Sequence, residues 1–208
     1  MFIQTMFRDP QMFFSQLLIV VFSICCHEYL HALTAYKLGD PTAAMRGHLT
    51  LNPLKQMGFI SLLMLFFIGI AWGQVPVDTR NLRGKHAPAL VAAAGPVTNL
   101  MLSLLFSLLF ILGVRLGGNS FASTMLLYGA VINMVLTMFN LLPLPGLDGW
   151  QILRNYWKRD LNTTPEFFKG VFLILLMLTF AFFRYLYQAA VVVVSSFLDF
   201  AGQLGVFQ

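Results

Sequence analysis

Five apolar stretches, at about residues 12–36, 57–73, 87–115, 121–142 and 167–206, decide what this chain can become. Crossing the hydrocarbon core of a bilayer takes about 20 apolar residues as a helix, because a helix satisfies its own backbone where no water can. The first, third and fourth stretches meet that length. The last is long enough for two crossings, with a break in hydropathy at Arg184 and Tyr185. Composition agrees: 58% of the residues are apolar and 10% charged, against about 25% charged in an average soluble domain. So few charges cannot cover a water-exposed surface. The expectation is an all-α integral membrane protein of five to six hydrophobic segments, folded as a single domain over 1–208. Its core is expected over 9–157, followed by a C-terminal helical hairpin over 167–206.

The net charge of +5 is scattered through the loops, with no basic stripe and no nucleic-acid-binding motif. Nucleic acid is therefore excluded as a partner, and the lipid bilayer is the partner the composition requires. Cys25 and Cys26 are adjacent within an apolar run, which is no geometry for a disulfide staple. Residues 1–11 lack the basic start and small-residue cleavage site of a secretory signal, so the first apolar segment is expected to be retained.

Residues 57–73 are short for a crossing and contain Gly58, Gly69 and Gly73. The basic residues test whether they cross. If every apolar segment spans, Lys and Arg divide almost evenly between the two sides. If 57–73 dips in and returns, only Arg8, Arg115 and Arg184 are left on one side. The positive-inside rule favours the re-entrant arrangement, with the basic side cytoplasmic and the N-terminus outside. Just before it, residues 47–52 alternate apolar and polar until Pro53. Period two predicts a short strand, giving a β-hairpin or re-entrant region between the first helix and the next spanning helix. Such a strand would offer an edge to an extended peptide.

His27-Glu28-Tyr29-Leu30-His31 lies near the end of the first apolar helix. Residues four apart share a helix face, so both imidazoles can bind one Zn²⁺ while Glu28 takes a proton from water at the open position. Ionisable groups inside an apolar segment are costly, which favours a functional pair over a packing one. A catalytic zinc usually has a third protein ligand. Asp148 stands out, behind Pro143, Pro145 and Gly146 at the end of a spanning stretch, and His48 is its rival. His86 sits in a basic loop.

HEYLH, followed by an apolar core and then FNLLPLPGLDG at 139–149, resembles the site-2 protease family of intramembrane zinc metalloproteases, peptidase family M50. Residues 47–53 (GHLTLNP), 76–81 and 94–99 (AGPVTN) extend the resemblance, which covers roughly 9–157 in the compact form without a PDZ or CBS domain. It implies one Zn²⁺ per chain held by His27, His31 and Asp148, with Glu28 as catalytic acid/base and Asn140 and Asn99 as substrate-contacting residues. It further implies a transmembrane protein or peptide substrate, and a place in a prokaryotic cell membrane with the site near the cytoplasmic face. Many compact relatives carry His-x-Asp-Pro where this chain has Lys55-Gln56-Met57-Gly58, and a proline or bulky residue where it has Gly146. A metal transporter or a catalytically silent scaffold are the competing function classes, and neither needs Glu28 between the two histidines.

Overall fold

A computed structural model describes residues 3–156 and 165–203. Within them run α1 (Ile3–Arg8), α2 (Pro10–Lys37), α3 (Thr42–Met45), α4 (Pro53–Gln56), α5 (Gly58–Ile68), α6 (Ala87–Arg115), α7 (Ser120–Asn140), α8 (Asp148–Tyr156) and α9 (Pro165–Ala201). Helices α2, α6, α7 and the part of α9 over Ala181–Ala201 are long and apolar enough to cross a membrane. This is an integral membrane protein.

Local chemistry sets the helix starts. Asp9 accepts the backbone N–H of Met12 at 2.9 Å and Pro10 occupies the first turn of α2. Asn119 caps α7 in the same way through the N–H of Ala122. In α6 the polar residues Asn99, Ser103 and Ser107 are buried, while Met101, Leu105, Leu108 and Leu112 are exposed. That inside-out stripe suits lipid outside and hydrogen-bonded packing within. Ser103 donates to the carbonyl of Ala130 in α7, and Gly129 leaves room for the Phe106 ring. Ala190 and Val194 of α9 pack on Ala130, Val131, Met134 and Val135 of α7. Helix α6 runs antiparallel to α2, because His27 meets Asn99 and His31 meets Val91. The site ends of α2 and α7 therefore lie together.

Residues 57–73 do not cross. Helix α5 has 11 residues, about 16 Å, roughly half a hydrocarbon core. It stops at Gly69, whose φ of 86° forms a left-handed cap. The chain then returns extended along the helix it has just left. Ser61 Oγ accepts from the N–H of Trp72 and donates to its carbonyl, and the N–H of Gln74 donates to the carbonyl of Gln56 at 3.0 Å. The two ends of the excursion thus meet at one level, the geometry of a re-entrant segment. Leu65 and Met57 pack against Val20, Ile24 and Cys25 of α2.

Of the five to six hydrophobic segments expected, four are helices that qualify as spans and one is the shorter α5, among the described residues. Two expectations need correction. No strand forms at 47–52 and there is no β-hairpin among the described residues. Alternation needs a partner strand, and here local side chains take the backbone instead. Gln56 Nε2 donates to the carbonyls of His48 and Thr50, Thr50 Oγ1 accepts from the N–H of Asn52, and Asn52 caps α4. The C-terminal hairpin over 167–206 is a single helix, α9, continuous through Arg184 and Tyr185. A polar dip in hydropathy without Gly or Pro does not turn a helix. Residues 157 and 204–206 of those expected ranges, and the basic residues Lys158 and Arg159, lie outside the described residues.

Candidate metal centre

One turn of α2 supplies His27, Glu28 and His31, all buried. Helix α6 lies directly against them because it carries Gly95 at the crossing: a Cβ there would fall on His31 Nε2 and on His27 Cε1 and Nε2. Pro96 follows inside the helix and removes one backbone donor, so the turn that faces the site is already opened.

The same helix aims the imidazoles. His31 Nδ1 lies 2.7 Å from the carbonyl of Val91, which can only accept. The ring proton therefore sits on Nδ1 and a lone pair on Nε2. His27 Nδ1 lies 2.5 Å from Asn99 Oδ1 and takes the same form. The two Nε2 atoms then face each other at 2.9 Å. Asp148 completes the cluster, with Oδ2 3.1 Å from His27 Nε2 and Oδ1 3.3 Å from His31 Nε2. Its Oδ2 is buried with no hydrogen-bond partner. Three acceptors converge with no donor between them, an arrangement that repels itself unless a cation sits at its centre. Tetrahedral donors at zinc bond lengths stand about 3.3 Å apart, close to the separations here. Among the described residues these three form the cluster whose ligand atoms lie within 4.8 Å of one another.

Asp148 reaches the histidines from the chain beyond α7. Helix α7 ends at Asn140, Pro143 and Pro145 contribute no N–H, and tight turns close through Leu144 to Leu142 and Leu147 to Leu144. Asp148 then opens α8. The rival, His48, lies outside the cluster, and His86 stacks on the Tyr156 ring at 5.5 Å.

His27, Glu28, His31 and Asp148 line a cavity of about 380 Å³. Its opposite wall is the extended chain that returns from α5, including Trp72, Gly73 and Gln74. A Cβ on Gly73 would overlap the Glu28 carboxylate, so bare backbone passes directly over it. Asp40, fully buried just beyond α2, holds the continuation of this wall. It accepts from the Thr42 hydroxyl and N–H, the Asn81 amide and the Asp78 N–H. Burial raises the pKa of Asp40, but those four donors outweigh it and hold the carboxyl below its ordinary range. The N–H of Arg83 also donates to the carbonyl of Leu38.

Asn140 is half-buried on the cavity wall, its Nδ2 donating to the Leu136 carbonyl of its own helix. Asn99 is fully buried, and its carboxamide is engaged at one end by His27 and at the other by Asn133. Both ends of its side chain are thus spent on protein partners. Sequence reasoning passed over Asn133 and Ser23. A polar residue such as Asn133 in the middle of an apolar helix was the available signal.

The family model described as peptidase family M50 matches residues 117–183, a stretch that includes Asp148. A Bacillus subtilis protein named "Putative zinc metalloprotease YwhC" is 36% identical over 144 residues, covering 65% of this chain and 66% of the relative. Two proteins named "Putative zinc metalloprotease Rip2" are similar as well. The one from Mycobacterium tuberculosis is 35% identical over 172 residues (75% of this chain, 63% of the relative), and the one from Mycolicibacterium smegmatis 30% over 194 residues (86% and 71%). The chain spans about two thirds of the length of these curated relatives. No solved structure matches it.

Proposed function

The chain belongs to peptidase family M50, the site-2 protease family, and from that premise we propose that it is an intramembrane zinc metalloendopeptidase. It hydrolyses peptide bonds in or beside transmembrane segments of protein substrates. His27, His31 and Asp148 hold one Zn²⁺, and the observation that carries the reading is the convergence of their acceptor atoms, with Asp148 Oδ2 left without a donor. When bound there, zinc acidifies water and polarises a carbonyl.

Glu28 stands on the wall of the same cavity and accepts the proton that the attacking water releases, then returns it to the leaving amine. The burial of Glu28 and of both histidines keeps bulk water from competing. A helical substrate must unwind before a carbonyl is exposed. The extended residues 70–78 and Asn140 supply backbone and amide groups along the cavity to receive it. The enzyme resides in a prokaryotic cell membrane with this cavity toward the cytoplasm, supported by Lys37 at the end of α2 and by Arg46, Lys55, Arg80, Arg83 and Lys85 in the chain between α2 and α6.

Glu28→Gln tests the assignment. Purified variant and wild type are compared for bound zinc and for cleavage of a panel of single-span substrates. Full zinc content with cleavage reduced about 10²–10⁴-fold is expected. Cleavage at the wild-type rate would overturn it. A transporter would instead keep its metal flux.

A further inference from the structure

The two imidazoles present the same nitrogen to the metal site, but they are held by different means. His31 is fixed by the backbone, because the Val91 carbonyl can only accept. His27 is fixed by a side-chain amide, and an amide can turn over to present nitrogen instead of oxygen. Something must fix the direction of Asn99.

The answer lies deeper in the bundle. Asn99 Nδ2 donates to Asn133 Oδ1 at 3.0 Å. Asn133 Nδ2 donates to the Gly129 carbonyl at 2.8 Å and to Ser23 Oγ at 2.9 Å. The Ser23 hydroxyl has spent its proton on the Ile19 carbonyl at 2.8 Å, so toward Asn133 it can only accept. Both far ends of the chain are backbone carbonyls. From them each link follows: Asn133 must turn its nitrogen toward Gly129 and Ser23, its oxygen then faces Asn99, Asn99 must offer nitrogen there, and its oxygen is left for His27. Ser23, Asn99 and Asn133 are all 0% exposed, so no water can substitute for a missing member.

We propose that Asn99, Asn133 and Ser23 form a directional hydrogen-bond relay that sets the tautomer of His27 and thereby its competence as a metal ligand. Asn99 acts on the ring itself, and Asn133 and Ser23 are positioning residues that act through Asn99. The relay rests on the metalloprotease reading for its purpose but not for its existence, which the metal-free protein can report.

Nitrogen chemical shifts of the full chain, labelled only at its four histidines, report the tautomers of the metal-free protein in detergent at alkaline pH. His27 and His31 are both expected to carry their proton on Nδ1. A His27 proton on Nε2 would overturn the proposal without any variant being needed. Competition for Zn²⁺ alone gives the second readout. Asn99→Leu is expected to weaken zinc binding about 10–100-fold, the usual cost of losing a partner behind a ligating histidine. Asn133→Leu should weaken it about tenfold and mix the His27 tautomers while leaving His31 unchanged.

Asn99→Asp separates direction from packing, because a carboxylate presents oxygen to His27 whichever way it turns. In that background Asn133→Leu should leave zinc affinity within about threefold of Asn99→Asp alone. An equal loss in both backgrounds would assign Asn133 to packing and remove the relay. If the wild-type chain binds no zinc yet shows both Nδ1 tautomers, the relay stands and the metalloprotease reading falls.

Discussion

The two walls of the metal cleft are built on different principles. One is α2 against α6: two histidines four residues apart on a single helix, each ring aimed by a group on the facing helix, with Gly95 setting the distance. The other is irregular chain, residues 70–78 stretched over Glu28. The helical wall owes its shape to packing along its whole length. The irregular wall hangs on a few hydrogen bonds, those of Ser61, Gln74 and Asp40. The first should tolerate no added volume at the crossing, and the second should give way when an anchor is lost. On the proposed function the two kinds of wall have separate uses, one to hold the residues of the metal cluster fixed and the other to yield to an entering peptide.

The sharpest way to break the contrast is a single methyl group on the rigid side. In Gly95→Ala the new Cβ would coincide with ring atoms of both histidines. Neither ring can retreat without losing its bond to Val91 or Asn99. Zinc content is expected to fall below detection and cleavage with it, while circular dichroism stays helical, since Ala favours helix over Gly by about 1 kcal/mol. Near-normal zinc content would mean that α6 can back away, and that the helical wall is no firmer than the other.

On the yielding side the corresponding lever is Asp40. In Asp40→Asn the amide must point donors at donors, since Thr42, Asn81 and the Asp78 N–H all give hydrogen bonds to this group. A loss of about 1–3 kcal/mol in the stability of the loop is expected, with faster proteolysis of residues 70–83 and bound zinc retained. The pH dependence has a definite sign. The folded carboxyl titrates below its ordinary value, so its contribution is complete above the unfolded value of about 3.9 and lost as pH falls through the lower folded one. Between those limits wild type should lose its advantage over Asp40→Asn. Zinc loss in the variant at neutral pH would show that the two walls are coupled after all.

The same contrast explains what the sequence could disclose. His27, Glu28 and His31 were legible because the helical period turns a four-residue spacing directly into a shared face. Asp148 stands far along the chain from His31, and no spacing rule brings it there; a family resemblance supplied it, and the convergence of the three acceptors now stands beside it. The spans were readable from hydropathy, including the shortfall of 57–73. The last stretch reads as a hairpin because a dip at Arg184 looks like a loop in a hydropathy profile, whereas a helix can carry one long cation outward. The alternation at 47–52 misled for a related reason: it reports the faces of a strand but not whether a partner exists. Asn99 was noticed as a polar residue of the site, yet its partners His27 and Asn133 are on other helices, and only the folded arrangement distinguishes a group that touches substrate from one that aims a ligand.

The smallest effect is expected where the irregular wall meets solvent. Arg80 and Asp78 form a bidentate pair, with Nη2 2.7 Å from Oδ2 and Nε 2.9 Å from Oδ1, and the Arg80 side chain is 88% exposed. The Arg80 guanidinium holds the Asp78 carboxyl down to about 2. Yet Asp78 serves the wall through its backbone N–H, which donates to Asp40, and not through that carboxylate. Charges in water are screened, and a pair that contacts only itself transmits nothing. Arg80→Ala should therefore leave the melting temperature, zinc content and cleavage rate unchanged while the Asp78 carboxyl, followed by carbon chemical shift, titrates higher. A fall in cleavage would place this exposed pair among the anchors of the wall and extend the yielding side of the cleft to its surface.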